Sequence, residues 1–172
     1  MTSSALTTLL AAVAAAQRPV ILIDGGAGAG KSTLAKEIAE SWPSGTLQVV
    51  CTDDFCPGWE GLETATKAVP AVITESQYVG WDWEHNRVSG LQLLVPEQPL
   101  LIEGCGAISA ASKELATLSI WVDAPDDLRK KRALERDADM FAPHWDSWAD
   151  QEAAHWRSDQ PWELADVTVS TE

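Results

Sequence analysis

Short apolar runs alternate with helical periodicities along most of the chain. Residues 20–24, 47–51, 100–103, 118–122 and 167–170 are such runs. Several have no polar face, as strands of a parallel sheet covered on both sides require. Between them, residues 32–41, 86–94, 110–116, 126–137 and 146–157 repeat apolar positions at helical spacing and predict helices. Residues 4–17 predict a further helix, with Ser3 or Ser4 as its cap. Strands alternating with helices predict an α/β domain with right-handed crossovers. Residues 57–85 carry neither pattern and are rich in Trp, Gly and Pro. A connection that long is more often functional than filler. No repeat, low-complexity tract or linker interrupts the pattern, so residues 1–172 are expected to form one domain, with 1–17 as an N-terminal helix.

Composition narrows the function classes. Of the 172 residues, 45% are apolar and 22% charged, which suits a packed core and argues against disorder. The formal net charge of −14 sets the chain against nucleic acid polymers and anionic membrane surfaces. Any anion it binds needs a local positive site among only 12 Lys and Arg residues. Cys51, Cys56 and Cys105 are an odd number without a Cys-x-x-Cys pair. They predict buried thiols in a reducing compartment, the cytoplasm, and no disulfide framework. The apolar stretch near the start has no Lys or Arg before it, so it is expected to be a helix and not a secretory leader. A monomer or homodimer is expected.

The chemistry begins at residues 25–32, Gly25-Gly26-Ala27-Gly28-Ala29-Gly30-Lys31-Ser32, followed by Thr33. They fit G-x-x-x-x-G-K-[ST] between a predicted strand and a predicted helix. Glycine lets main-chain N–H groups turn into a concave nest around phosphate oxygens. The N-terminus of the following helix adds partial positive charge. Lys31 is expected to reach the β- and γ-phosphates of ATP, and Ser32 to offer its hydroxyl to Mg²⁺. No Asn-Lys-x-Asp for guanine is present, and Val88–Gln92 echoes a transporter ATPase signature only faintly.

Acidic residues converge on the same end of the sheet. Asp53 and Asp54 follow the second strand, and Glu103 ends the third. Ligands of an open parallel sheet sit beyond the carboxyl ends of its strands. A carboxylate there can hold Mg²⁺ or accept a proton from an attacking hydroxyl. Asp53 and Glu103 join Ser32 as candidate metal-site residues.

These motifs resemble the P-loop nucleoside and nucleotide kinases, in their uridine kinase-like branch. "IDGGAGAGKSTLA" resembles the family's phosphate loop, and "TDDF" its Asp-x-Phe element, whose first Asp falls on Asp53. "LLIEG" resembles the strand-end Glu associated with metal, and "RKKRALERD" the lid, at Arg132, Arg136 and Asp137. "ADVTVSTE" resembles the closing strand. The resemblance implies a three-layer α/β/α fold with a five-stranded parallel sheet of order 2-3-1-4-5. It also implies an acceptor-binding region over residues 57–98, a lid over 126–145, and Asp53 as catalytic base. Members that phosphorylate uridine carry a Tyr soon after the Phe, where this chain has Cys56.

Five basic residues, Arg129, Lys130, Lys131, Arg132 and Arg136, crowd the lid segment. Arg132 and Arg136 are expected to close over the transferring phosphate, or else the cluster is a solvated helix face. Among nine Trp residues, Trp145, Trp148 and Trp156 form a stripe expected to face the core. Tyr78, Trp81, Asp82, Trp83 and Arg87, with Asp54, are candidate acceptor contacts: rings to stack on a base, polar groups to bond a sugar. Packing of a lid on the core is the competing role for that aromatic group. The expected activity is transfer of the ATP γ-phosphate to a hydroxyl of a nucleoside or nucleoside-like molecule. NTP hydrolysis, or nucleotide binding by a regulatory module without turnover, stays open.

Overall fold

The computed structural model describes the backbone of residues 3–172, with the side chains of residues 6–136 and 140–172. Its elements run α1 (Ser3–Ala14), β1 (Val20–Asp24), α2 (Lys31–Glu40), β2 (Gln48–Cys51), α3 (Leu62–Glu75), β3 (Gln77–Asp82) and β4 (Arg87–Leu93). They continue β5 (Leu100–Glu103), α4 (Ala110–Lys113), β6 (Leu118–Asp123), α5 (Asp126–Phe141), α6 (Trp145–Asp159), α7 (Pro161–Leu164) and β7 (Val167–Ser170). Short 3₁₀ turns follow β2 at Thr52–Asp54 and precede α6 at Ala142–His144.

The main sheet is parallel throughout, in the order β2-β5-β1-β6-β7. Counting its own strands along the chain, that is the expected 2-3-1-4-5. The pleat sends alternate residues to opposite faces. On β1, Val20 and Leu22 join one core with Leu100, Ile102 and α3. Ile21 and Ile23 join the other with Leu101, α1 and α2. The sheet is therefore the middle of three layers, buried on both faces as its apolar runs required.

The region after β2 departs from the sequence pattern. Residues 86–94, expected to be a helix, form strand β4, which pairs antiparallel with β3 in a separate hairpin. The hairpin turn decides this. Asn86 takes a left-handed φ of 49°, and the Asp82 carboxylate accepts the His85 N–H at 3.1 Å. Asx turns of this kind reverse the chain and fix register. Residues 57–85, expected to be irregular, contain α3, even though Pro70 lies inside it. An internal proline costs a helix about 3 kcal/mol. Burial of Leu62, Val69, Val72 and Ile73 along one stripe, at roughly 1.5–3 kcal/mol per side chain, outweighs that. Elsewhere the differences are at ends: α1 stops at Ala14, α4 is a single turn, and α5 runs on to Phe141.

α6 carries the expected Trp stripe only in part. Its buried residues are Trp148, Glu152 and His155, while Trp145 and Trp156 are half-buried. Two of its three inward residues are titratable, and both turn toward the loop after β1. Among the described residues no helix is long and apolar enough to cross a membrane.

Candidate active site

The loop between β1 and α2 lies at the carboxyl end of the sheet, where β1 is flanked by β5 and β6. Two of its glycines are required by their surroundings. Gly28 has φ of 78°, and its Cα faces the Arg129 backbone so closely that a Cβ there would overlap it. Gly30, the N-cap of α2, has φ of 104°. Left-handed values like these are open to glycine at no steric cost.

The loop is braced from behind by buried charge. The Asp24 carboxylate, at the end of β1, accepts N–H groups of Gly25 (2.6 Å), Gly106 (3.0 Å) and Ile108 (2.9 Å). His155 Nε2 lies 3.3 Å from the same carboxylate. Glu152 accepts the Ala27 N–H at 2.6 Å, the Trp148 Nε1–H at 3.1 Å and the Cys105 thiol at 3.2 Å. Arg129 completes the brace: it donates to the Ala27 carbonyl (3.2 Å), pairs with Glu152 (3.4 Å) and with Asp126 (2.8 Å), and lies over the Trp156 ring. A buried carboxylate holds its charge only when donors of this number surround it.

Lys31 is 8% exposed and crosses the loop mouth, donating to the Gly26 carbonyl at 3.0 Å, with the Cys105 sulfur at 3.4 Å. Burial acts against its charge, yet the carboxylates of Glu152, Glu103 and Asp24 outweigh burial and raise its pKa, so Lys31 is cationic. Burial pushes the Cys105 thiol well up, so it stays neutral. Ser32 donates its hydroxyl to Glu103 at 2.9 Å.

These groups open onto one cavity of about 310 Å³. Ala27, Gly28, Lys31, Ser32, Asp53, Glu103 and Arg136 line it at the loop end. Asp53 is an exposed residue at the cavity, with enough protein around its carboxyl to desolvate it in part. That burial raises its proton affinity; Lys31 pulls the other way, Glu103 and Asp54 add to the rise, and Arg136 opposes it. The net direction is upward. Asp54 is used differently: its carboxylate accepts the Cys51 N–H at 3.0 Å and closes the 3₁₀ turn.

The remaining candidates scatter. Arg132 does not reach the cavity; it donates to Thr171 Oγ1 at 3.0 Å and to the Glu172 carbonyl, and Thr171 in turn bonds the Ala29 carbonyl at 2.8 Å. It ties the chain's last residues to the loop. Arg129 is bracing, Lys130 lies near the Trp145 ring, and Lys131 lies 3.9 Å from Glu135. The side chain of Asp137 falls outside the described residues. Of the five hairpin candidates only Trp83 lines the cavity, with its Nε1–H bonded to the Asp53 carbonyl at 2.8 Å. Tyr78 packs on Phe55, and Trp81 faces a separate groove under the hairpin. Asp82 holds His85 at 2.8 Å and Arg87 at 3.6 Å within the hairpin turn.

The sequence reading missed Trp59, Phe141 and Trp148 as cavity walls, and Glu152 and His155 as braces. One signal was present. Glu152 and His155 fall at i+4 and i+7 from Trp148, on the stripe that had to be inward, where an amphipathic helix ordinarily carries apolar residues.

No family model matches the chain. A uridine kinase of Ligilactobacillus salivarius is 27% identical over 157 residues, covering 78% of this chain and 74% of that protein. A uridine kinase of Clostridium tetani is 25% identical, covering 70% and 69%. Among solved structures, a possible uridine kinase from Bacillus stearothermophilus superposes with a TM-score of 0.65 over 96% of this chain and 97% of its own, at 18% identity. That likeness is one of fold. The chain is thus similar in sequence to uridine kinases and in fold to a possible uridine kinase, with the glycine loop and the parallel strand order in common with that likeness.

Proposed function

We propose that the protein transfers the γ-phosphate of ATP to a hydroxyl of a small molecule of the nucleoside or nucleoside-like class. The observation that carries this reading is the convergence of Lys31, Ser32, Glu103, Asp53 and Arg136 on one cavity at the mouth of the glycine loop. The names of the relatives, uridine kinases, point the same way.

Loop amides and the α2 N-terminus hold the polyphosphate, and the Lys31 cation offsets its charge. Magnesium fits the donor set: the Ser32 hydroxyl and Glu103 carboxylate are hard oxygen ligands that already touch, and Asp53 lines the same cavity. When bound there, the ion would neutralise charge on the phosphoryl oxygens. Asp53 orients the acceptor hydroxyl and takes its proton, a role suited to a carboxyl whose proton affinity is raised. Arg136, which lines the same cavity, supplies positive charge toward the transferring group. Arg132 acts through the loop and the chain end, away from the acceptor.

A coupled ADP-release assay across nucleosides and related alcohols tests the reading. Acceptor-dependent ADP with a matching phosphorylated product is the expected result. ADP without such a product would replace transfer by hydrolysis.

A further inference from the structure

The acceptor half of the cavity differs in kind from the phosphate half. Its walls are Trp59, Trp83, Trp148, Phe141 and Met140. Trp59 is central: Trp83 meets it edge-on at 5.1 Å, Trp148 edge-on at 6.2 Å, and Phe141 lies nearly parallel at 5.4 Å. Two of the indole N–H groups are already committed, Trp83 to the Asp53 carbonyl and Trp148 to Glu152. They offer a ligand ring carbon and not a donor. The polar side chains that could have read a sugar are engaged elsewhere: Asp82, His85 and Arg87 with one another, His144 stacked on Trp59 at 4.4 Å, and Gln151 on the Trp59 carbonyl at 2.7 Å. Among the described residues, every charged or hydroxyl side chain lining the cavity belongs to the phosphate end.

A ribose carries hydroxyls that need partners when buried, and a hydrogen-bonding base edge needs the same. Among the described residues this slot supplies neither at its aromatic end and supplies ring surface instead, chiefly that of the half-buried Trp59 and Trp83. Resting on the phosphotransfer reading above, but replacing its nucleoside acceptor by one without a sugar, we propose that the acceptor is a flat, weakly polar heteroaromatic alcohol, gripped by stacking, with its one hydroxyl presented to Asp53. The acceptor oxygen attacks the γ-phosphorus and forms the new P–O bond. The bond from that phosphorus to the β,γ-bridging oxygen breaks, ADP leaves with the electron pair, and the hydroxyl proton passes to the Asp53 carboxylate.

The test compares hydroxymethyl-substituted benzenes, pyridines and pyrimidines with uridine, cytidine and free ribose, each with ATP and Mg²⁺, reading ADP release and phosphorylated product. The expected result is a kcat/KM for at least one flat alcohol about tenfold or more above uridine and ribose, in keeping with ring stacking as the grip. Trp59→Ala should raise the KM for that alcohol about tenfold, and the milder Trp59→Phe should restore most of it, which a merely disrupted fold would not do. Uridine or ribose as the preferred acceptor would overturn this inference while leaving phosphotransfer intact. Phosphorylation of no acceptor, with ATP bound, would overturn both.

Discussion

The two halves of the cleft are built by different means. The phosphate half is main chain held by buried charge: loop amides, Asp24, Glu152 and Arg129 lock each other through hydrogen bonds of 2.6–3.4 Å. The acceptor half is side chain on side chain, aromatic rings from α5, α6 and the segments around β2 and β3 in edge and stacked contact. The first construction fixes one geometry, because a buried charge tolerates no loss of partner. The second sets shape and polarity and can be retuned ring by ring. On the proposed function, the chemistry of transfer would be held constant by the fold, while the choice of acceptor would rest on a few replaceable rings.

Substitutions on the two sides should fail differently. The largest effect is expected for Asp53→Asn, where the two halves meet. Loss of the base should lower transfer by about 10²–10⁴ while nucleotide affinity stays within a fewfold, as measured by product formation and calorimetry. Next is Glu152→Ala, which takes from the buried Arg129 its buried carboxylate partner, leaving it the exposed Asp126, and removes the acceptor of the Ala27 N–H. Loss of one buried partner and its hydrogen bonds costs at most roughly 3–5 kcal/mol, read as a lower urea midpoint, and Glu152→Gln should recover part of it by keeping an acceptor for the Ala27 N–H. Stability unchanged in Glu152→Ala would dissolve the contrast drawn between the halves. A smaller loss, about 0.5–1.5 kcal/mol, is expected for Trp83→Phe, which keeps a ring and deletes one hydrogen bond to the Asp53 carbonyl.

The smallest effect is a pH dependence. Burial lowers the proton affinity of His155, but its bonds to Asp24 and Asp159 outweigh that, and its pKa is raised in the folded protein. The imidazolium contribution to stability is therefore complete below about pH 6.5, the unfolded value, and fades as pH rises through the folded one. Wild type should lose stability over that window relative to His155→Gln. Parallel pH profiles for the two would remove the charged His155 from the brace.

The sequence made the phosphate half legible and the acceptor half opaque, for physical reasons. A nest of amides needs glycine at fixed spacing, and β1 and β5, covered on both faces, need unbroken apolar runs, so both leave a local signature. The five sheet strands were readable from such signatures, whereas their order came only from the resemblance to the kinase family. The hairpin was not: Val88, Leu91 and Leu93 are exposed, so no core imposed a strand pattern on them, and the turn at Asn86 settled the conformation. Trp59 lies some eighty residues before Phe141 and Trp148, and only tertiary packing brings its ring to theirs. Arg132 and Arg136 lie one turn apart on α5 and looked alike, yet one faces the cavity and the other the chain's last residues.

The measurement closest to the central claim is calorimetric titration of the protein with a nonhydrolysable ATP analogue and Mg²⁺, repeated on Lys31→Ala. One site per chain is expected in the wild type, with affinity reduced about 100-fold or more in the variant, the scale of a lost charge-assisted contact at about 1.5–3 kcal/mol or slightly above. Failure of the wild type to bind the analogue, or equal affinity in both proteins, would contradict the assignment of the glycine loop as a polyphosphate site.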